Sequence, residues 1–569
     1  MSPTALSPAA WERNVEELAE GAPLDVLVVG GGIVGSGAAL DAASRGLRVG
    51  LVEAQDWSAG TSSRSSKLIH GGLRYLEMFD FALVREALRE RALLLRLAPH
   101  LVRPTPFLFP LTRRVWERAY VGAGVGLYDL LARSSRSGGA LPRHRQLTRR
   151  SALRVAPGLR PDALIGAIQY YDARVDDSRF ALAVVRTAAD HGALAVNRVA
   201  VVGLVREGEA VVGARLRLLE TGREIEARAK AVLLATGVWT EEVEALAGRE
   251  QPLRVRPSKG VHIVVARERI DSSSALIVPT EKSVLFVIPW GEHWVIGTTD
   301  TPWEYDKARP AASAADVDYL LERVNRVLAS PIGAADVVAV YAGLRPLIAG
   351  AAEETTRLSR EHAVGRPAPG LVVVSGGKYT TYRVMASDAL DAVVDHVGLD
   401  ARPSRTASIP LLGGEGYAAA WADRSELARR SGLGTDVVEH LLGRYGSLAG
   451  EVLALAGPDP SLALGIAGAE RYLRAEVVYA VTHEGARHLE DVLARRTRAA
   501  IETGDRGAAA AEDVAALMAP HLGWDDARTR EEVASYRLQV EAERAAQRQP
   551  DDRAADEAMR GAPALLPLP

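Results

Sequence analysis

Residues 24–53, LDVLVVGGGIVGSGAALDAASRGLRVGLVE, predict the fold of the first part of the chain. An apolar run leads into Gly30, Gly32 and Gly35 in G-x-G-x-x-G spacing, and after a helical pattern a second apolar run ends at Glu53. This order predicts a strand, a tight turn, a helix and a second strand, as in units that bind dinucleotides. There the glycines permit the turn, let the backbone approach a pyrophosphate, and bring the helix close to the strand. Glu53 is placed to accept a hydrogen bond from a ribose hydroxyl, so the segment predicts an ADP-containing cofactor.

Composition indicates a globular protein with more than one domain. The chain has 569 residues, 48% hydrophobic and 25% charged, which is too long for a single core. Its net charge of −3 gives no reason to expect a nucleic-acid partner. It contains no cysteine, which excludes disulfides and thiolate metal sites; we expect no metal, and redox electrons must travel through a bound cofactor. Acidic residues near the start and the lack of about 18 consecutive apolar residues predict a cytoplasmic protein without a spanning helix.

The patterns along the chain predict an α/β fold followed by an all-helical part. Buried-strand and helical patterns indicate a Rossmann-like cofactor-binding domain, and alternating β patterns within it indicate an inserted antiparallel sheet for the substrate. After Pro410 one helical pattern follows another, which predicts a separate C-terminal helical domain. The predicted segments are a leader (1–23), the cofactor-binding domain (24–400) with interleaved β-rich regions (about 100–170 and 255–370), the helical domain (405–546) and a disordered tail (547–569).

A second set of motifs carries a family resemblance. TSSRSSKLIHGGLRYLE, residues 61–77, resembles the FAD-dependent glycerol-3-phosphate dehydrogenases of the aerobic, quinone-reducing kind, within the D-amino-acid-oxidase-like flavoproteins. Two residues depart from the family pattern: Tyr379, where Leu is more frequent, and Arg64, where some members have Ala. Further motifs similar to that family follow in its order: YYDARVDDSRF (170–180), ATGVW (235–239), KGVHIVV (259–265), IPW (288–290), GTTDTP (297–302), GLRPL (343–347), GGKYTTYR (376–383) and YAVTHEGARHLEDVLARRTR (479–498).

The resemblance implies oxidation of sn-glycerol 3-phosphate to dihydroxyacetone phosphate, with hydride passing from C2 to flavin N5 and electrons to a membrane quinone. Such a reaction needs cations for a phosphate dianion and a base near the C2 hydroxyl. Guanidinium groups suit phosphate because their planar fork bonds two oxygens. The residues implied to bind substrate are Arg74, Tyr75, Arg345, Arg360 and Lys378. The base remains open among His262, His70 and a deprotonation assisted by Arg345.

The same motifs imply where FAD binds. The serine-rich loop would contact pyrophosphate and ring edges, and the helix after GGKYTT would direct its N-terminus at the flavin N1–C2=O region. Because no cysteine exists, we expect the flavin to be held non-covalently. The implied cofactor-binding residues are Gly30, Gly32, Gly35, Glu53, Thr61, Ser62, Ser63, Ser65, Ser66, Lys67, Val199, Gly237, Gly377, Lys378, Thr380 and Thr381.

Partners and rival functions complete the expectations. The basic stretch from Arg133 to Arg154, beside the apolar Ala119–Leu131, predicts peripheral contact with an anionic membrane at the inner face of the cell membrane, or else a plain exposed connection. A homodimer is possible. For the charged run in residues 483–498 we favour a structural or subunit contact over catalysis. The rival functions are a glycerophosphate oxidase that uses O2, an amine or amino-acid oxidase of the same fold, and a non-enzymatic FAD-binding protein.

Overall fold

The computed structural model describes residues 5–72, 80–111, 115–134, 141–162, 164–248, 253–280, 284–349 and 362–569. The strands are β1 (Leu24–Val29), β2 (Val49–Glu53), β3 (Leu68–Ile69), β4 (Val102–Leu111), β5 (Arg145–Thr148), β6 (Gly166–Val175), β7 (Leu194–Asn197), β8 (Val199–Glu207), β9 (Ala210–Leu218), β10 (Glu224–Leu234), β11 (Val255–Ala266), β12 (Ala275–Pro279), β13 (Val284–Trp290), β14 (His293–Gly297), β15 (Thr301–Pro302), β16 (Val337–Ile348), β17 (His362–Ala368), β18 (Leu371–Gly376), β19 (Gly465–Ile466) and β20 (Ala469–Leu473).

The α-helices are α1 (Pro8–Glu20), α2 (Ile33–Ser44), α3 (Phe81–Leu97), α4 (Val115–Ser134), α5 (Arg149–Val155), α6 (Asp177–Asp190), α7 (Thr240–Ala245), α8 (Ala314–Asn325), α9 (Tyr382–Val397), α10 (Tyr417–Ala422), α11 (Arg424–Ser431), α12 (Thr435–Tyr445), α13 (Ala449–Leu455), α14 (Arg474–Glu484), α15 (Ala499–Glu502), α16 (Ala511–Leu522), α17 (Asp526–Ala546) and α18 (Asp552–Arg560). Short 3-10 turns lie at Thr61–Ser63, Gly237–Trp239 and Tyr379–Thr381, and Asp491–Thr497 is π-helical. Among the described helices none is both long and apolar enough to cross a bilayer.

The first sheet confirms the predicted βαβ unit. β1 lies between β10 and β2 and is parallel to both, with Val29 opposite Leu234 on one side and Val52 on the other. β18 is parallel to β10, and β7 is parallel to β2. α2 connects β1 to β2 and packs against α6 and α9. The carboxyl ends of these parallel strands therefore meet at one edge, which is where open α/β sheets bind ligands.

The second sheet has ten strands and covers this edge. Its order is β15-β11-β14-β13-β12-β4-β6-β3, with β16 also paired to β11 and β5 to β6. All the pairs are antiparallel except β12 with β4. The two β-rich regions expected at about 100–170 and 255–370 thus join in one sheet. Strand β17 is different, because His362–Ala368 pairs with β18 in the first sheet.

The helical C-terminal domain is packed on buried side chains from α11 to α17, with the small β19–β20 hairpin between α13 and α14. The expectation of a disordered tail over residues 547–569 is wrong for its helix, α18. Ala555 and Met559 are buried on one side of α18 and Ala562 is buried just beyond it, so a short apolar face stabilises a segment whose overall composition is polar. At the other end of the chain the leader contains α1, which begins with a Ser7 cap and packs against β7 and β10.

Candidate active site

A cavity of about 960 Å³ opens at the carboxyl ends of β1, β2, β10 and β18, between the first sheet and β11 and β16. It lies at the upper end of the size range of small-molecule and cofactor sites. One side is lined by the glycine turn after β1, and the other by His262 and Arg345. The cavity therefore brings the predicted cofactor loops and the predicted catalytic side chains into one site.

The glycine turn has the tight geometry that its sequence predicts. Gly30 has a φ of +112°, and a Cβ on Gly35 would lie 1.9 Å from the Gly30 carbonyl oxygen, so helix α2 and strand β1 approach too closely for a side chain. Gly30 and Gly32 line the cavity, whereas Gly35 does not and acts only in packing. The Ser62 hydroxyl accepts a hydrogen bond from Ile33 N at 2.9 Å, which joins the serine loop to the first turn of α2.

Glu53 lines the cavity and also holds the turn. Its carboxylate oxygens accept hydrogen bonds from Gly31 N at 2.6 Å and from Gln55 N at 2.7 Å. Burial raises the pKa of Glu53, against the opposing effect of these backbone hydrogen bonds. Val199 and Gly237, which we predicted to contact the cofactor, also line the cavity.

Some residues of the serine loop, Thr61–Lys67, line the cavity, and others are buried in the interior. Its cavity-lining members are Thr61, Ser62, Ser65 and Ser66. Ser63 and Lys67 do not line it: Ser63 is 6% exposed, and Lys67 is fully buried with Nζ 2.9 Å from Asp177 Oδ1. Their prediction as cofactor contacts is therefore not supported, because the charge of Lys67 turns inward to a buried carboxylate.

Asp177 holds the serine loop in place through hydrogen bonds. Its Oδ2 accepts hydrogen bonds from the backbone N and the hydroxyl of Ser65, at 3.0 and 2.7 Å, and Arg498 of the C-terminal domain donates to its Oδ1. Tyr379, the residue that departs from the family pattern, donates its hydroxyl to the Asp177 carbonyl at 2.5 Å. The C-terminal domain is thereby linked to the loop that lines the cavity.

The arginine run of the C-terminal domain is buried. Arg496 forms a two-pronged ion pair with Asp56, with N–O distances of 2.6 and 2.7 Å, and Arg495 Nε lies 2.5 Å from the same carboxylate. Asp56 follows Glu53 closely in the chain, so these arginines fix the loop after β2. This arrangement matches the structural contact that we favoured for residues 483–498.

The GGKYTT segment forms the turn before α9. Gly377, Lys378 and Thr380 line the cavity, whereas Thr381 is buried and does not. The Thr380 hydroxyl lies 3.2 Å from His70 N and 3.3 Å from His70 O, so this turn and the end of the serine loop hold each other. His70 itself lines the cavity, and its ring lies 6.3 Å from that of Phe286.

His262 lies on β11, with Tyr341 of β16 opposite it. The two rings stack with centroids 4.7 Å apart at an interplanar angle of 11°, and His262 Nε2 lies 2.8 Å from Ser66 Oγ. Burial, with the charges of Arg345 and Lys67, lowers the pKa of His262 well below its ordinary value. The imidazole is therefore neutral near pH 7 and has a lone pair available to accept a proton.

Arg345 lies on β16 opposite Ser258. Its guanidinium donates to the Thr299 carbonyl at 3.2 Å and to Thr298 Oγ1 at 3.1 Å, and it lies 3.4 Å from Asp300 Oδ1. Gly260 leaves space for this guanidinium, since a Cβ at residue 260 would lie 2.6 Å from Arg345 Nη2. A partly exposed guanidinium held in this way is an oriented cation on the cavity wall.

Three of the predicted substrate residues, Arg74, Tyr75 and Arg360, lie outside the described residues. The structure adds two cavity residues that we did not predict, Arg64 and Arg309. It also adds Tyr341, whose ring stacks on His262. Arg64 lies in the serine-rich motif, at a position where some family members have Ala, but we did not predict that it lines the cavity. Burial lowers its pKa, with Glu490 acting in the opposite direction. Arg309 and Tyr341 had no motif signal.

The residues around the cavity fit a flavin dinucleotide. The glycine turn and the start of α2 provide a phosphate cradle, and Glu53 provides a ribose acceptor. Thr236 Oγ1 and His262 Nδ1 are buried and have no hydrogen-bond partner among the described residues, so they are available to a bound molecule. In the described part of the chain no cluster of three or more His, Asp or Glu residues could hold a metal ion.

Comparisons with known proteins agree with this geometry. Residues 25–383 match the family described as FAD dependent oxidoreductase, and residues 404–529 match the C-terminal domain of alpha-glycerophosphate oxidase. The chain is 55% identical to a glycerol-3-phosphate dehydrogenase of Mycobacterium leprae, covering 98% of this chain and 94% of that protein. It is 37% identical to the human mitochondrial glycerol-3-phosphate dehydrogenase, covering 94% of this chain and 75% of that one.

A solved structure is similar over nearly the whole chain. The glycerol-3-phosphate dehydrogenase of Bacillus halodurans, complexed with FAD, superposes with a TM-score of 0.78 at 29% identity and covers 94% of this chain and 97% of its own. The glycine oxidase of Geobacillus kaustophilus is similar at 22% identity and a TM-score of 0.50, and this likeness shows only a common fold.

Proposed function

Because the chain belongs to the FAD-dependent glycerol-3-phosphate dehydrogenases, we propose that it binds FAD in this cavity and oxidises sn-glycerol 3-phosphate to dihydroxyacetone phosphate. One observation carries the proposal: His262 and Arg345, on adjacent strands β11 and β16, line the same cavity as the glycine turn. In this proposal His262 is the proton acceptor and Arg345 the oriented cation, on the wall opposite the cofactor loops.

The chain's own residues have distinct tasks in this proposal. Gly30, Gly32 and Ser62 would hold the pyrophosphate, and Glu53 the ribose. When bound, FAD supplies the acceptor for the hydride from C2. Arg345 would bind a phosphate oxygen of the substrate, together with the predicted Lys378.

His262 is the base that we favour for the C2 hydroxyl. It is neutral, and its ring is fixed by Tyr341 and Ser66, so it can accept the hydroxyl proton in one orientation. His70 is the alternative, because it too lines the cavity. The negative charge of the substrate phosphate would raise the proton affinity of either imidazole when substrate binds.

The test is anaerobic reduction. Purified protein should be yellow, and glycerol 3-phosphate should bleach it in the absence of oxygen, while a panel of amino acids should not. Bleaching by amino acids would favour the amine or amino-acid oxidase, and a protein that stays yellow with both would favour a non-catalytic FAD-binding protein. A colourless protein that does not bind added FAD would contradict the proposal altogether.

The electron acceptor is proposed to be a membrane quinone. Reoxidation of the bleached enzyme by a water-soluble quinone analogue should be faster than by air-saturated buffer. Fast reoxidation by oxygen, with peroxide formed, would instead favour an oxidase.

A basic surface supports contact with the cytoplasmic face of a membrane. Residues 141–160 contain no acidic residue, and their exposed cations are Arg143, Arg145, Arg149, Arg150, Arg154 and Arg160. Leu130 of α4, 64% exposed, lies close by, since His144 pairs with Asp129 at 2.7 Å. An anionic bilayer would attract such a surface.

Co-sedimentation tests this contact. The protein should co-sediment with anionic vesicles at low salt, and a smaller fraction should do so when Arg149 and Arg150 are both changed to Glu. Equal co-sedimentation of the wild type and this variant would contradict the membrane contact.

A further inference from the structure

The segment after α17 forms part of the wall of the cofactor cavity. Met559, Arg560 and residues 562–569 line it, on the side of Val238 and Leu344. We propose that residues 552–569 are a cofactor-retaining segment that covers bound FAD and slows its release. This inference rests on the proposed binding of FAD in the cavity.

The segment is anchored by a buried charge. Lys259 is fully buried, and its Nζ lies 2.5 Å from Asp316 Oδ2 and 2.5 Å from Asp552 Oδ1, the first residue of α18. The Ser313 hydroxyl donates to the same Asp552 oxygen at 3.2 Å. The buried ammonium is stabilised by these carboxylates, and its contact with Asp552 fixes this end of α18 to the second sheet.

A loop of the second sheet connects α18 to the cofactor turn. Asp306 N donates to Asp556 Oδ1 at 3.1 Å, and Arg309, which lines the cavity, donates to the Ala562 carbonyl. From the same loop, Lys307 Nζ donates to the Val238 carbonyl at 3.0 Å, next to Gly237. The segment is thus tied through one loop to the turn that borders the predicted cofactor site.

Apolar packing adds to these polar contacts. Ala555, Met559 and Ala562 pack in one buried cluster with Val238 and Leu344, and the side chain of Trp303 belongs to the same cluster. Removing this apolar surface from water stabilises the docked segment.

The last residues suit a cover over ring systems. The sequence PALLPLP, residues 563–569, has no charged side chain, and three of its seven residues are proline. Proline favours an extended backbone that loses little conformational entropy when the segment docks. Leu565, Leu566 and Leu568 are half-buried and line the cavity. Apolar side chains at the mouth of a dinucleotide site can contact the faces of its aromatic rings and exclude water.

The test measures FAD release after dilution, followed by the fluorescence of free FAD. We compare the wild type, a chain that ends at Pro550, and Leu565→Ser/Leu566→Ser, which keeps every anchor of α18. The matched control is Leu538→Ser, a leucine on α17 that is 43% exposed and does not line the cavity. The double variant should release FAD about tenfold faster, the truncated chain faster still, and the control at the wild-type rate.

The outcomes separate the inference from the proposed function. If the wild type does not bind FAD, the proposed function fails. If the wild type binds FAD and the double variant releases it at the wild-type rate, the cofactor-retaining segment is overturned. Should the truncated chain not fold, the double variant still decides. In a second measurement FAD should slow trypsin cleavage after Arg560, and an equal rate with and without FAD would contradict the inference.

Discussion

Ser66 Oγ lies 2.8 Å from His262 Nε2, which ties the candidate base on β11 to the serine loop of the cofactor site. The loop is in turn held by Asp177, which accepts two hydrogen bonds from Ser65. The orientation of His262 therefore depends on the same loop that we propose contacts FAD. If His262 is the base, this one hydrogen bond would link cofactor binding to proton transfer.

Replacing the candidate base tests this arrangement. His262→Ala should lower kcat by on the order of 10², because a positioned general base contributes that much or more. Ser66→Ala should have a smaller effect, since it removes only the orienting contact. Stopped-flow reduction of the bound FAD by glycerol 3-phosphate measures the step directly. A loss below tenfold for His262→Ala, with a larger loss for His70→Ala, would assign the base to His70.

The pH profile of the wild type follows from the lowered pKa of His262. A base with a lowered pKa stays unprotonated to lower pH, so kcat/KM should fall only below the ordinary histidine value of about 6.5. The lowered pKa would be contradicted if kcat/KM of the wild type already fell, on acidification, at a pH above 6.5 and His262→Ala showed no such fall.

Arg345 should act mainly in substrate binding. Arg345→Ala removes a charge-assisted contact to phosphate, and at 1.5–3 kcal/mol for such a bond KM should rise about 10- to 100-fold. Gly260→Ala should raise KM as well without removing the charge, because its Cβ would lie 2.6 Å from Arg345 Nη2 and displace the guanidinium. Steady-state kinetics with glycerol 3-phosphate measure both. An unchanged KM in Arg345→Ala would remove this residue from the phosphate site.

The glycine turn should be intolerant of side chains. In Gly35→Ala the new Cβ would lie 1.9 Å from the Gly30 carbonyl oxygen, so β1 and α2 must separate and the FAD content of the purified protein should fall severalfold. Gly450→Ala is the control, because a Cβ in that helix meets nothing within 4 Å and should stabilise α13 by up to about 1 kcal/mol. The ratio of flavin to protein absorbance is the measurement. A full FAD content in Gly35→Ala would contradict the role of this close approach.

The parts that the sequence predicted are those governed by local spacing or strand alternation. The glycine turn depends on residues within one βαβ unit, and the inserted antiparallel sheet, which includes β11, follows from the alternating β patterns of its strands. The parts that it missed depend on partners distant in the chain. Lys67 belongs to a cofactor motif, yet its charge is satisfied by Asp177, 110 residues away. Likewise, α18 is stabilised by Lys259, which no local pattern of residues 547–569 reveals.

The contact between His488 and two carboxylates should make stability depend on pH. His488 Nδ1 lies 2.7 Å from Glu532 Oε1, and its Nε2 lies 3.0 Å from Glu220 Oε1. When protonated, the ring can donate to both carboxylates and so bridge the C-terminal domain and the hairpin of β9 and β10. Burial and the charge of Arg198 lower the pKa of His488, but its two carboxylate partners outweigh them and raise it. Burial raises the pKa of Glu220, but His488 and Arg487 outweigh it and lower that pKa to about 2.

The two shifts define the pH range in which this contact stabilises the fold. The contribution of His488 is fully present below its unfolded pKa of about 6.5 and is lost as pH rises through its raised folded pKa. The contribution of Glu220 is present above its unfolded pKa of about 4.3 and is lost as pH falls towards about 2. In His488→Gln the fall in Tm should therefore be largest between about pH 4.5 and 6.5 and smaller at pH 9. His191→Gln, which replaces an exposed histidine at the end of α6, is the matched control variant. A Tm difference for His488→Gln that does not change with pH would show that the ring is neutral in the folded protein.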